Sequence, residues 1–213
     1  MFLRNISILF ISLIFVGVQS TTTISSCGEL QNITNNLNGN YSISKSFSCS
    51  GFKFSTIATN NNFTGCLNGN GFTISDLQMN SSTYVGLFGN GLACTVQNLV
   101  LSNISLHSYG NLPTASLFGI CTECTIKDCV LTNPVSSGNN IQNSFTNSPG
   151  SYVAGYCGKM SGGTMINCTI YNTVVQGICS GGFNFYANHS QINTFKTFFQ
   201  ESILTLRGSW DMQ

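Results

Sequence analysis

Cys94-Thr-Val-Gln-Asn-Leu-Val-Leu-Ser-Asn103 and Cys124-Thr-Ile-Lys-Asp-Cys-Val-Leu-Thr-Asn133 carry the same pattern at an offset of 30 residues, and this repetition decides the fold. The stretches ahead of them, Tyr84-Val-Gly-Leu-Phe-Gly89 and Thr114-Ala-Ser-Leu-Phe-Gly119, align at the same offset. An offset of 39 adds Ala154-Gly-Tyr-Cys-Gly158 and Thr164-Met-Ile-Asn-Cys-Thr-Ile-Tyr-Asn172. An offset of 22 toward the N-terminus adds Thr73-Ile-Ser-Asp-Leu-Gln-Met79, and a weaker copy runs from Ser180-Gly-Gly-Phe183 to Ile192-Asn193.

The aligned columns carry the physics. Ile74, Val96, Ile126 and Met165 form one column; Leu77, Leu99, Cys129 and Cys168 a second; Met79, Leu101, Leu131 and Ile170 a third. All three are apolar or thiol. Asp76, Asn98, Asp128 and Asn167 stand between the first and second, and Ser81, Asn103, Asn133 and Asn172 beyond the third. Apolar residues two apart are strand-like, and a polar Asx among them marks a bend. Asn and Asp tolerate left-handed backbone and suit the corners of a coil. One coil cannot bury its apolar face, but stacked coils can, each strand pairing in parallel above and below. The expected fold is all-β: a right-handed parallel β-helix of about four to five coils. A β-sandwich would need frequent two-residue hairpin signals, and Asn68-Gly-Asn-Gly71 is the one strong turn run.

Met1-Phe-Leu-Arg-Asn5, an apolar run from Ile6 to Val18 and small residues up to Ser20 make up a secretory signal peptide over 1–20. The run is short of the ~20 apolar residues of a bilayer span. Residues 21–50 read as an N-terminal lead-in or cap, and 51–193 as the β-helix repeats. The segment 194–213 lacks the repeat pattern and reads either as a C-terminal cap or as a truncated tail. The expected location is outside the cell or on its surface.

Only 6% of the chain is charged, against a usual ~25%, and the net charge is +1. Seven Lys and Arg spread along the sequence make no basic stripe, so nucleic acid is not an expected partner. Sequons at Asn32, Asn40, Asn62, Asn80, Asn103, Asn167 and Asn188 are candidate N-glycosylation sites in a eukaryotic secreted chain. Ten cysteines follow the signal, an even number that favours disulfides in an oxidising compartment.

Phe63-Thr-Gly-Cys-Leu-Asn-Gly-Asn-Gly-Phe-Thr-Ile-Ser-Asp-Leu77, followed by Tyr84-Val-Gly-Leu-Phe-Gly89 and later Val153-Ala-Gly-Tyr-Cys-Gly158, resembles the GLUG-motif repeat family. The resemblance covers roughly residues 50 to 183. It implies a right-handed β-helix in secreted or surface proteins, among them adhesins and accessory regions of bacterial surface proteases. The family repeat is not a catalytic unit, so no catalytic residue carries over. Cysteines in core columns and the many sequons depart from the family pattern.

Chemistry has few candidates. The acids are Glu29, Asp76, Glu123, Asp128, Glu201 and Asp211. Asp76 and Asp128 share a corner column two coils apart, roughly 10 Å by inter-strand spacing, a separation that suits an inverting glycosidase. Both stand where Asn stands in the other copies, so a structural corner is the expected role. His107 and His189 are the only histidines, and each is expected in solvent. Cys121-Thr-Glu-Cys124 lacks the second C-x-x-C pair of a zinc site, and neither a metal nor a cofactor is expected. Cys94 and Cys124 are stacked equivalents ~4.8 Å apart and are expected to form a disulfide. Cys129 and Cys168 are equally stacked, and bonded and thiol forms stay open for them.

The growing offsets suggest two inserts at one corner, Leu106–Thr114 and Ser136–Tyr152. They carry Tyr109, Phe145 and Tyr152, candidates for contact with a glycan or a cell-surface protein. The function expected is a non-catalytic structural or adhesive module. Two alternatives are a carbohydrate-active β-helix enzyme with an unrecognised site and a fragment of a larger surface protein.

Overall fold

The computed structural model describes residues 20–133, 139–143, 152–171, 173–176, 179–181, 184–188 and 191–198. The expected signal segment falls almost entirely outside these residues. The described chain is an all-β stack of parallel strands, the arrangement of a parallel β-helix.

One circuit shows how the sequence closes. Thr95–Gln97 turns at Asn98 into Val100–Ser102, which turns at Asn103 into Ser105–Ser108. Thr114–Ala115 and Phe118–Thr122 then return the chain through Glu123 to Thr125–Lys127, which pairs in parallel on Thr95–Gln97. Each strand therefore rests on its counterpart from the preceding circuit, and side chains alternate between core and outside. Ladders run through Leu67, Val96, Ile126 and Met165, and through Phe47, Ile74, Leu101, Leu131 and Ile170. A third runs through Met79, Leu106 and Ile141, a fourth through Phe88, Phe118 and Cys157. Each of these side chains except Phe47 is buried, at ~1.5–3 kcal/mol for a fully buried aliphatic or phenyl group. Phe63, Phe88 and Phe118 stack with ring centroids 4.3 and 5.1 Å apart.

The corners explain the Asx columns. Asn98, Asp128 and Asn167 have φ of 51, 52 and 50°, and Asp76 and Asn103 have φ of 59 and 51°. These are left-handed positions that Asn and Asp fill at least cost among side chains with a Cβ. A third corner was not anticipated. Ala93 and Glu123 sit there at φ 48 and 55°, succeeded one circuit later by Gly162 at φ 60°.

The copy taken at an offset of 22 is out of register. Ile74 pairs with Leu101, not Val96, and Val96 pairs with Leu67. Met79 pairs with Leu106, and Asp76 falls in the corner column of Asn103. Leu106–Thr114 is consequently no insert. Its first residues belong to the regular strand Ser105–Ser108, with Leu106 buried in the core. The span Ser136–Tyr152 contains the strand Asn139–Asn143, paired on Ser105–Ser108 and under Thr173–Gln176.

The ladder also begins earlier than residue 51. Thr21–Ile24 pairs with Asn40–Ile43, which pairs with Cys66–Asn68. Between the first two lies the helix Cys27–Gln31, capped by Ser26, whose hydroxyl accepts from the Glu29 N–H. The Glu29 carboxylate turns back to accept from the N–H and hydroxyl of Ser25 at 2.6 and 2.9 Å, which holds its pKa below the usual value. Leu30 and Ile33 from this segment are buried, and a Cys27–Cys49 disulfide pins it to the stack. At the other end Gln191–Phe198 still pairs with Thr164–Tyr171, so the ladder runs past residue 193 as far as Phe198.

Candidate functional site

The described acids are built into the scaffold. At one corner column Asp76 accepts from Ser48 and Asn103, each at 2.5 Å, and from Ser75 at 2.8 Å. The Ser48 and Asn103 bonds hold its pKa below the usual carboxylate value. Asn103 in turn accepts from Asn133 at 3.3 Å. At the other column Asp128 accepts from Asn167 at 2.7 Å and faces Lys127 at 3.6 Å, the one ion pair among the described residues. Asp76 and Asp128 thus do not share a column, and the paired-carboxylate geometry derived from one does not arise. Glu123 occupies an exposed left-handed corner. Glu201, Asp211 and His189 lie outside the described residues.

His107 is a strand residue, flanked in register by Asn80 and Gln142. Beside this face lies a groove of about 310 Å³, lined by Phe54, Ser55, Thr56, Thr59, Met79, Asn80, Ser81 and Thr83. Sequence reasoning missed this groove, because its walls come from a loop near residue 55 and the strand Gln78–Ser81, which no local pattern links. Tyr109 donates its backbone N–H to the Ser81 carbonyl at 3.1 Å. That bond sets its ring, 51% exposed, one circuit above the groove wall. Of the other two contact candidates, Tyr152 opens the strand Tyr152–Ala154 and is half-buried, and Phe145 lies outside the described residues.

The sequons separate by environment. Asn32, Asn62 and Asn80 are exposed, and Asn40 is half-buried at a strand start. Asn103 and Asn167 spend their side-chain N–H groups on the corner ladders. Asn188 ends a strand, and its side chain is outside the described set.

The cysteines gather more closely than their columns suggested. Cys94 and Cys124 are neighbouring thiols, not a bonded pair: in-register stacking sets their spacing near ~4.8 Å, long for a disulfide's Cβ separation. A Cβ placed on Gly91 would lie 2.9 Å from both sulfurs and 2.6 Å from the Phe118 ring, so only glycine fits beneath them. Cys121 stands 2.8 Å, sulfur to sulfur, from Cys157 in the next circuit. The four sulfurs form a buried chain, Cys94 to Cys124 to Cys121 to Cys157. Hydrogen bonds from Cys121 and Cys94 pull the Cys124 thiol down to about 4, whereas burial pushes Cys157 up. Cys129 and Cys168 interact with each other and also point at backbone carbonyls, at 3.3 to 3.8 Å. No cluster of metal-binding geometry occurs among the described residues.

Among the described residues no helix is long and apolar enough to cross a membrane. No protein-family model and no curated protein matches the chain. A solved structure from Bacteroides ovatus, described as a candidate immunoglobulin A1 protease, matches with a TM-score of 0.55 at 13% identity. The match covers 83% of this chain and 67% of that one, and it is a likeness of fold.

Proposed function

We propose that this chain is a secreted or cell-surface adhesive module, non-catalytic, that holds a glycan or a surface protein on the face bearing the groove and Tyr109. The observation that carries this reading is the groove's lining: hydroxyls, an amide and apolar side chains, with no acid or base among them. Hydrogen-bonding groups beside an exposed aromatic ring are what a neutral sugar engages. The corner roles of Asp76 and Asp128 support the non-catalytic part, because both carboxylates already accept bonds that shape the backbone.

The Cys27–Cys49 disulfide supports an oxidising compartment, and with it the expected secretion. The motifs at residues 63–77, 84–89 and 153–158 are what support kinship with GLUG-type repeats. A place within a larger surface protein is a second reading, supported by the fold likeness to part of a longer chain described as a candidate immunoglobulin A1 protease.

Binding of the full chain to a glycan array and to intact cells tests the proposal. Tyr109→Ala, in an exposed ring, is expected to weaken binding at least tenfold and leave the melting temperature unchanged. Turnover of any bound glycan, abolished in Asp76→Asn or Asp128→Asn, would replace adhesion by catalysis.

A further inference from the structure

We propose that Cys121 and Cys157 close into a second disulfide, which staples two successive circuits of the stack through the core. Their sulfurs are 2.8 Å apart and both side chains are fully buried. The bond requires a shift of under an ångström to reach the ~2.05 Å of a disulfide.

The pairing is diagonal, offset by three residues along the ladder, so closing it draws the two backbones together as well as the sulfurs. In register Cys157 sits over Phe118, and Cys121 sits under Met160. Stacked equivalents such as Cys129 and Cys168 keep parallel Cα–Cβ vectors a full strand spacing apart, and each of those thiols, besides facing the other, also donates to a backbone carbonyl. Cys157 ends the phenyl column of Phe88 and Phe118 with a small side chain. The Cys121 sulfur reaches across to it there. Once Cys121 is bonded to Cys157, Cys124 keeps Cys94 as its neighbouring sulfur, the pair that the sequence columns brought together.

The competing closure, Cys121 with Cys124, would join the two ends of a single bend and leave Cys157 alone. The interaction of Cys121 with both neighbours makes this the alternative to exclude.

The chemistry is thiol–disulfide exchange with a donor disulfide of the secretory compartment. One cysteine thiolate attacks a donor sulfur and expels the first donor thiolate. The second cysteine displaces the other donor sulfur from the mixed disulfide. The chain loses two electrons and two protons, and the donor leaves as two thiols. Because both sulfurs are closed to solvent in the folded stack, the exchange takes place before the circuit carrying Cys157 docks. The bond closes a separation of 36 residues, which includes the segment around Asn139–Asn143.

The full chain, secreted from cells, is blocked with N-ethylmaleimide under denaturing conditions and digested without reductant. Cleavage after Glu123 separates Cys121 from Cys124. The expected product is a cross-linked peptide pair holding Cys121 and Cys157 that disappears on reduction. Cys157→Ser is expected to release Cys121 for labelling while the Cys27–Cys49 cross-link persists. Full labelling of Cys121 and Cys157 in wild-type chain whose Cys27–Cys49 bond is intact would overturn the proposal. A Cys121–Cys124 cross-link would overturn it equally.

Discussion

Asn103 donates its side-chain amide to the Asp76 carboxylate of the preceding circuit at 2.5 Å, and accepts in turn from Asn133 of the next at 3.3 Å. The three residues make a polar rail along one corner, and Ser48 extends it below. Asp76 is the anionic member and collects three acceptor bonds. Those bonds hold its pKa below the usual 3.8. A carboxylate with a depressed folded pKa contributes stability above its unfolded value and loses it as pH falls through the folded one. Asp76→Ala is therefore expected to cost about 1 kcal/mol at pH 7, discounted because the group is partly open to water. The gap in urea midpoint between variant and wild type should narrow between about pH 4 and pH 2, leaving the part due to Ala in a left-handed corner. A gap that stays constant over that range would show that the carboxylate's charge is not what the corner uses.

The inward positions were largely legible in the sequence, and their register was legible only in part. Val96, Leu101 and Leu106 are spaced by five, as are Ile74 and Met79, with Asx between. A slip of one such unit still lays apolar on apolar and Asx on Asx. That degeneracy is why Ile74 aligned with Val96 when its true neighbour is Leu101. Distinct motifs such as Leu87-Phe-Gly89 and Leu117-Phe-Gly119 cannot slip this way, and their register is the observed one. The groove and the diagonal Cys121–Cys157 contact had no sequence signature, because each joins residues from different circuits at unequal heights.

The corner at Ala93 carries a prediction of the opposite sign to that at Asp76. Ala93 is exposed and held at φ 48°, and the position one circuit on is Glu123 at 55°. Neither side chain offers the local bonding by which Asn and Asp ease left-handed backbone. Gly162 fills the same corner in the following circuit at φ 60°. Ala93→Gly relieves the strain but adds unfolded-state entropy. The net expected effect is stabilisation by roughly 0.5–1 kcal/mol, read as an upward shift in the thermal midpoint. A loss of stability would mean that the Ala93 methyl packs in a way its exposure does not suggest.

The phenyl column is the most sensitive part of the core. Phe88 stacks between Phe63 at 4.3 Å and Phe118 at 5.1 Å, and all three are fully buried. Phe88→Ala opens a void between rings held by strands on both sides, which cannot close up freely. The expected cost is about 3–5 kcal/mol, whereas Phe88→Leu keeps most of the volume and should cost less than half as much. Denaturant unfolding of both variants, with the slope checked against wild type, measures the difference. Equal losses would show that ring stacking, not volume, is what the column provides.

The sequons give a prediction that separates exposure from availability. Asn103 and Asn167 lie at the surface, but their amide nitrogens donate to Asp76 and Asp128 inside the corner rails. A glycan on either nitrogen would take the place of a hydrogen in that rail and crowd the adjoining circuit. Asn32, Asn62 and Asn80 are exposed and carry no such duty among the bonds of the corner rails. In chain secreted from a eukaryotic host, the folded fraction is expected to carry glycans at Asn32, Asn62 and Asn80, with Asn103 and Asn167 unoccupied. Peptide mass mapping before and after glycan removal reads each site directly. Asn80 adds a further consequence, since it lines the groove: its glycan would occupy the face proposed for binding. Asn80→Gln, which removes the glycan and keeps an amide, is then expected to strengthen ligand binding relative to the glycosylated chain. Unchanged binding in that variant, with Asn80 shown to be occupied in wild type, would move the binding face away from the groove.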